Sequence, residues 1–162
     1  MHQTINGLRP LGIGSFTIHR FNSETVSNRH LYGQAADFEL LVGFAEHNGL
    51  VFEIMQPVNG TDSLMAAWLE ANGNQAGVQH IAFDMGDLPM DRRIAQMKER
   101  GFEVAMEGVW KGKQGQCRFT FFDTLLKGAG TCFETIEFSD DWEEPEGEIC
   151  PNVEEESTNG KQ

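Results

Sequence analysis

The chain has 162 residues, 40% of them hydrophobic and 23% charged, which are the proportions of a globular protein of one domain or two small modules sharing a core. Its formal charge of −13 excludes a nucleic-acid-binding surface, which needs clustered Lys and Arg. No apolar run reaches the length of a membrane span, so no membrane partner is expected. Met1-His2-Gln3-Thr4-Ile5-Asn6 has neither the basic start nor the apolar stretch of a signal peptide. Cys117, Cys132 and Cys150 are odd in number and lack metal spacing, as reduced, buried thiols do. The expected location is therefore intracellular and cytoplasmic, with the mitochondrial matrix left open if residues precede Met1.

In chain order, residues 1–10 read as the end of a helix, stopped by Arg9-Pro10 and the glycines Gly12 and Gly14. Ser15–Phe21 alternates apolar and polar residues, as a half-buried strand does. Asn22–Ala36 is polar and is expected to be a loop. Strands follow near 37–45 and 50–56, joined through His47-Asn48-Gly49, where Asn-Gly signals a hairpin. A helix from Asp62 or Ser63 to Ala71 has a capping residue first and Leu64, Met65, Trp68 and Leu69 on one face. Beyond Asn72-Gly73-Asn74 come a strand (77–85), a helix (88–100) and strands at 102–107, 116–123 and 130–138. The second helix has Asp87 as its expected N-cap and Gly101 just past its end. The glycine-rich, basic run Lys111–Gln116 reads as a hairpin, since no helix begins there to bind phosphate. Nine of the 25 acidic residues and one of the 12 basic ones fall between Ser139 and Gln162, so the rest of the chain carries only −5. That tail is expected to be disordered.

The chain repeats itself. Phe52-Glu53 and Phe133-Glu134 lie 81 residues apart, and at the same offset Gly49 falls on Gly130. Such a period is the mark of two copies of one supersecondary unit. The second copy opens with Gly77-Val78-Gln79-His80-Ile81-Ala82-Phe83, whose counterpart in the first would precede Met1. The expected organisation is a first βαβββ module shortened at its start (1–60), a connecting helix (61–76), a second βαβββ module (77–138) and an acidic tail (139–162).

Three positions carry candidate chemistry. Glu53 and Glu134 sit mid-strand among apolar neighbours, where a carboxylate is costly to bury unless paired or bound to a metal. His80 stands on the strand that opens the second copy. Together they make a divalent-metal set with nitrogen and oxygen ligands, suited to Mn, Fe, Co, Ni or Zn. Taken singly, each has a structural reading: a strand glutamate paired with an arginine, or a hydrogen-bonded core histidine. Glu39, on the preceding strand, reads as a surface position or a proton-transfer residue. His19 and His30 read as surface positions.

Phe52-Glu53-Ile54-Met55-Gln56-Pro57, Trp68-Leu69, Gly77–Phe83, Gly101-Phe102-Glu103-Val104 and Gly130–Glu134 resemble the vicinal oxygen chelate (glyoxalase-like) superfamily, closest in look to its methylmalonyl-CoA epimerase-type members. The resemblance covers roughly residues 8–138 and implies an α+β fold of two tandem βαβββ modules in a curved open barrel around one divalent metal. It implies Glu53, His80 and Glu134 as metal ligands, with the ligand from the first strand of module one lacking, and it puts a proton-transfer glutamate near 39–41. It also implies an isomerase or epimerase that moves a proton beside a carbonyl of a small acyl thioester, such as an acyl-CoA, or an oxo compound. Glu39 and Glu134 are its candidate catalytic carboxylates, and a homodimer is expected. A lactoylglutathione lyase-like enzyme, a ring-cleaving dioxygenase and a metal-free binding module are the alternatives on the same fold.

Overall fold

The computed structural model describes residues 1–59, 62–83, 86–126 and 130–150. The elements run α1 (His2–Leu8), β1 (Phe16–Phe21), β2 (Val26–Leu31), β3 (Gln34–Ala35), β4 (Glu39–His47), β5 (Leu50–Asn59), α2 (Leu64–Ala71), β6 (His80–Phe83), α3 (Met90–Glu99), β7 (Val104–Lys111), β8 (Gln116–Phe122), β9 (Cys132–Phe138) and β10 (Glu148–Cys150). They form an α+β fold with two sheets, ordered β10-β1-β4-β5 and β3-β2-β7-β8-β9-β6, and no closed barrel. In the larger sheet β6 lies parallel to β9, with β8 and β7 following antiparallel, so β6-α3-β7-β8-β9 makes one βαβββ unit. In the smaller sheet α1, β1, β4 and β5 repeat the helix and last three strands. Among the described residues β5 pairs only with β4 and leaves its other edge open.

Period-two alternation divides each sheet into two faces. Phe21, Leu40 and Val42 of one sheet and Met106, Trp110, Phe119 and Phe121 of the other fill the space between them, with Leu64 and Met65 of α2. The outer face of the smaller sheet carries Phe16, Ile18 and Ala45, which Ile5 of α1 covers. At α2, Ser63 accepts a hydrogen bond from the Ala66 amide and caps the helix as expected. At α3 the expected cap fails: Pro89 stands at the N-cap, and Glu137 of β9 accepts from the Met90 amide instead. A tertiary carboxylate does there what local sequence was expected to do.

Two expectations are corrected. The polar stretch 22–36 is not a loop: β2 and β3 form a hairpin, and β2 joins the edge of β7, with Val26 buried against the core. Asn28, Tyr32 and Gly33 take the left-handed conformations that its turns require. Residues 139–150 are not a disordered tail. Glu143 bridges Gln114 of the β7–β8 hairpin, Trp142 packs on Trp110 with ring centroids 5.1 Å apart, and β10 pairs antiparallel with β1. Gly112 and Gly115 let that hairpin approach closely, since a Cβ on either would lie 2.2 Å from Gln114 O or Ser139 Oγ respectively. This segment also buries His19, expected at the surface, which meets Glu144 at 2.8 Å. Residues 151–162, and positions 84–85 of the expected strand 77–85, lie outside the described residues.

Arg93 pins α3 to the larger sheet. It is 2% exposed and donates to Gly86 O, Leu88 O, Thr135 Oγ1 and Ile136 O. An arginine so satisfied tolerates burial, but its removal strands the buried Thr135 hydroxyl and three partly buried carbonyls, at about 1–3 kcal/mol for a fully buried group and less for the others. Arg93→Leu is therefore expected to lower unfolding free energy in urea by at least about 3 kcal/mol. A loss below about 1 kcal/mol would mean that water reaches these acceptors.

Candidate metal centre

The structure brings together Glu53, His80 and Glu134, whose ligand atoms all lie within 4.8 Å of one another. Glu53 comes from β5 at the edge of the smaller sheet, His80 from the edge strand β6 of the larger sheet, and Glu134 from β9 beside it. Glu53 stands in β5 opposite Phe44 of β4, with its side chain on the inner face. Glu134 stands in β9, between Ala82 of β6 and Phe121 of β8. His80 is the first residue of β6. Its ring meets the edge of Phe121 at a centroid distance of 5.2 Å, which limits how the imidazole can turn.

His80 Nε2 lies 2.9 Å from Glu53 Oε2 and 3.7 Å from Glu134 Oε2. On the other side of the ring, His80 Nδ1 lies 2.8 Å from Gln79 Oε1. Glu134 is 3% exposed, and its Oε2 has no hydrogen-bond partner although it is fully buried. Burial raises the Glu134 carboxyl well above its usual range, and the neighbouring Glu53 charge raises it further. The same carboxylate acts on the thiols nearby. Cys117 and Cys132 are pushed up to about 12, first by burial and then by Glu134. At neutral pH they carry protons and are poor metal ligands.

A divalent cation fits this donor set. Two carboxylates and one ring nitrogen converge, the most buried oxygen lacks a partner, and a cation would offset both the desolvation and the mutual repulsion of the glutamates. Three protein ligands with water in the remaining positions is a common catalytic arrangement.

Glu39 falls elsewhere. It opens β4, five residues from Phe44, which places it about 17 Å along the strand from the residue opposite Glu53. Its carboxylate pairs with Arg20, and it lines a surface cleft of about 290 Å³ with Arg29 and Asp37. The structure does not bring it to the triad. Gln79, in contrast, was read only as part of a strand. Residues adjacent in a strand point to opposite faces, so its contact with His80 was not legible until β6 proved to begin at residue 80.

The family model of the Glyoxalase/Bleomycin resistance protein/Dioxygenase superfamily matches residues 5–121. The chain belongs to that superfamily. The match includes Glu53 and His80 and ends before Glu134, which the fold supplies to the same point. No curated protein matches the chain. Members of this superfamily bind small molecules, often with a divalent metal and often as dimers. No helix among the described residues is long and apolar enough to cross a membrane.

A raised carboxyl makes stability depend on pH. Folded, metal-free protein holds the Glu134 proton more tightly than the unfolded chain does, so it gains stability below the ordinary value of 4.5. That contribution is lost as pH rises from 4.5 through the raised value. Metal-free protein is therefore expected to lose stability towards neutral pH more steeply than Glu134→Gln, measured by urea titration at several pH values. Parallel curves would show that Glu134 ionises freely in the fold.

Proposed function

We propose that the chain is a divalent-metal-dependent isomerase or epimerase that moves a proton beside the carbonyl of a small acyl thioester, such as an acyl-CoA, or of an oxo compound. The observation that carries this reading is the convergence of Glu53, His80 and Glu134, with Glu134 buried and one oxygen unpartnered. Those three residues would hold the ion. When bound, it supplies Lewis-acid stabilisation of negative charge growing on the substrate oxygen. Glu134, a glutamate of the ligand set, is the group proposed to take the proton from the substrate carbon and return it. Phe121, against His80, and Phe44, across from Glu53, line the apolar side and limit water near the reacting atoms. One histidine with two glutamates speaks against ring-cleaving oxygenation, whose iron sites use two histidines and one carboxylate.

A metal-binding module without turnover is the second reading. The open edge of β5, beside Glu53, favours it, because a bare edge leaves one side of the site without a wall. The same edge is where a homodimer would gain most, and a dimer belongs to the proposal.

The test combines metal content with proton exchange. Purified protein dialysed against plain buffer is expected to retain about one divalent ion per chain, and Glu134→Gln to lose it. Metal-loaded protein is expected to exchange the α-proton of simple acyl thioesters for deuterium in D₂O. Bound metal without exchange across a thioester and oxo-compound panel would favour the second reading, and equal metal in Glu134→Gln would contradict both.

A further inference from the structure

We infer that Gln79 is a positioning residue for His80, fixing the ring so that Nε2 faces the two glutamates. The inference rests on the metal reading of the triad and adds a residue to it. Gln79 is 8% exposed, so its amide is committed to the protein interior. Its Oε1 lies 2.8 Å from His80 Nδ1. An amide oxygen only accepts, so Nδ1 carries the hydrogen and donates it. On the far side of the ring Nε2 meets Glu53 Oε2 at 2.9 Å, a contact that needs a hydrogen between the two atoms, and a cation would take the place of that hydrogen while Nδ1 keeps its own.

The contact is built by the backbone. Two consecutive strand residues would face apart, but the strand begins at His80, and Gln79 lies just outside it. The Gln79 carbonyl accepts from the Cys132 amide at 2.9 Å, which ties this turn to β9 two residues before Glu134. Upstream, Gly77 runs against Trp68 of α2, where an added Cβ would sit 2.9 Å from the ring. The segment is held from both ends. Gln79 Nε2 is buried, and the side chain also lies beside the Cys132 thiol of β9. Outer partners of this kind orient a ligand histidine and raise its basicity, and losing one weakens metal binding about 10–100-fold.

The test compares zinc affinity by chelator competition in the parent, Gln79→Leu and Gln79→Glu. It adds the long-range proton–nitrogen spectrum of His80 in each zinc-loaded protein. Gln79→Leu is expected to bind about 10–100-fold more weakly and to lose its slowly exchanging Nδ1 proton. Gln79→Glu, which keeps an accepting oxygen, is expected to retain both affinity and proton. Undiminished affinity in Gln79→Leu, or equal losses in both variants, would overturn the positioning role while leaving the triad intact. A parent chain that binds no zinc would overturn the metal reading and this inference together.

Discussion

A carboxylate oxygen buried without a partner is the constraint on which the site turns. Glu134 cannot stay ionised in that setting at low cost, because desolvation and the Glu53 charge both oppose it. Either a proton or a cation must accompany it. His80 faces both carboxylates with Nε2, while its other nitrogen is taken by Gln79. Two carboxylates and one ring nitrogen aimed at one point form an arrangement that a divalent ion satisfies.

The rest of the fold brings β5 of one sheet and β6 and β9 of the other to that point. β9 is held from both sides, by β8 antiparallel and β6 parallel, so Glu134 and His80 arrive together. Arg93 locks α3 behind them. Among the described residues β5 pairs on one side only, and Glu53 comes from it. The two glutamates occupy matching places in the repeat but unequal surroundings: Glu134 is deeply buried, and Glu53 is partly open. That inequality makes Glu134 the enclosed ligand of the set and Glu53 the more accessible one.

How much of this was legible in the sequence follows from how local each signal is. The 81-residue offset, the strand alternation of Phe52–Met55 and the Ser63 cap are short-range patterns, and the repeat, the strands and the helix follow from them. The triad was legible because the repeat made Glu53 and Glu134 equivalent. What was missed depends on contacts distant in sequence. The polar 22–36 stretch becomes a hairpin because β7 offers an edge to pair with, and Val26 is the apolar anchor that finds the core. Charge made 139–150 look unstructured, yet Trp142 and Cys150 pack against the core and β10 pairs with the edge that β1 presents. Glu39 misled for the opposite reason: it sits on the right strand, but too far along it.

The most direct test of the central claim is X-ray absorption at the metal edge of zinc-loaded protein. The arrangement of Glu53, His80 and Glu134 predicts only nitrogen and oxygen neighbours at about 2.0–2.2 Å, with the outer pattern of a single imidazole. Sulfur at about 2.3 Å would mean that Cys117 or Cys132 has displaced a glutamate. That result, or the pattern of two or more imidazoles, would contradict the site described for this chain.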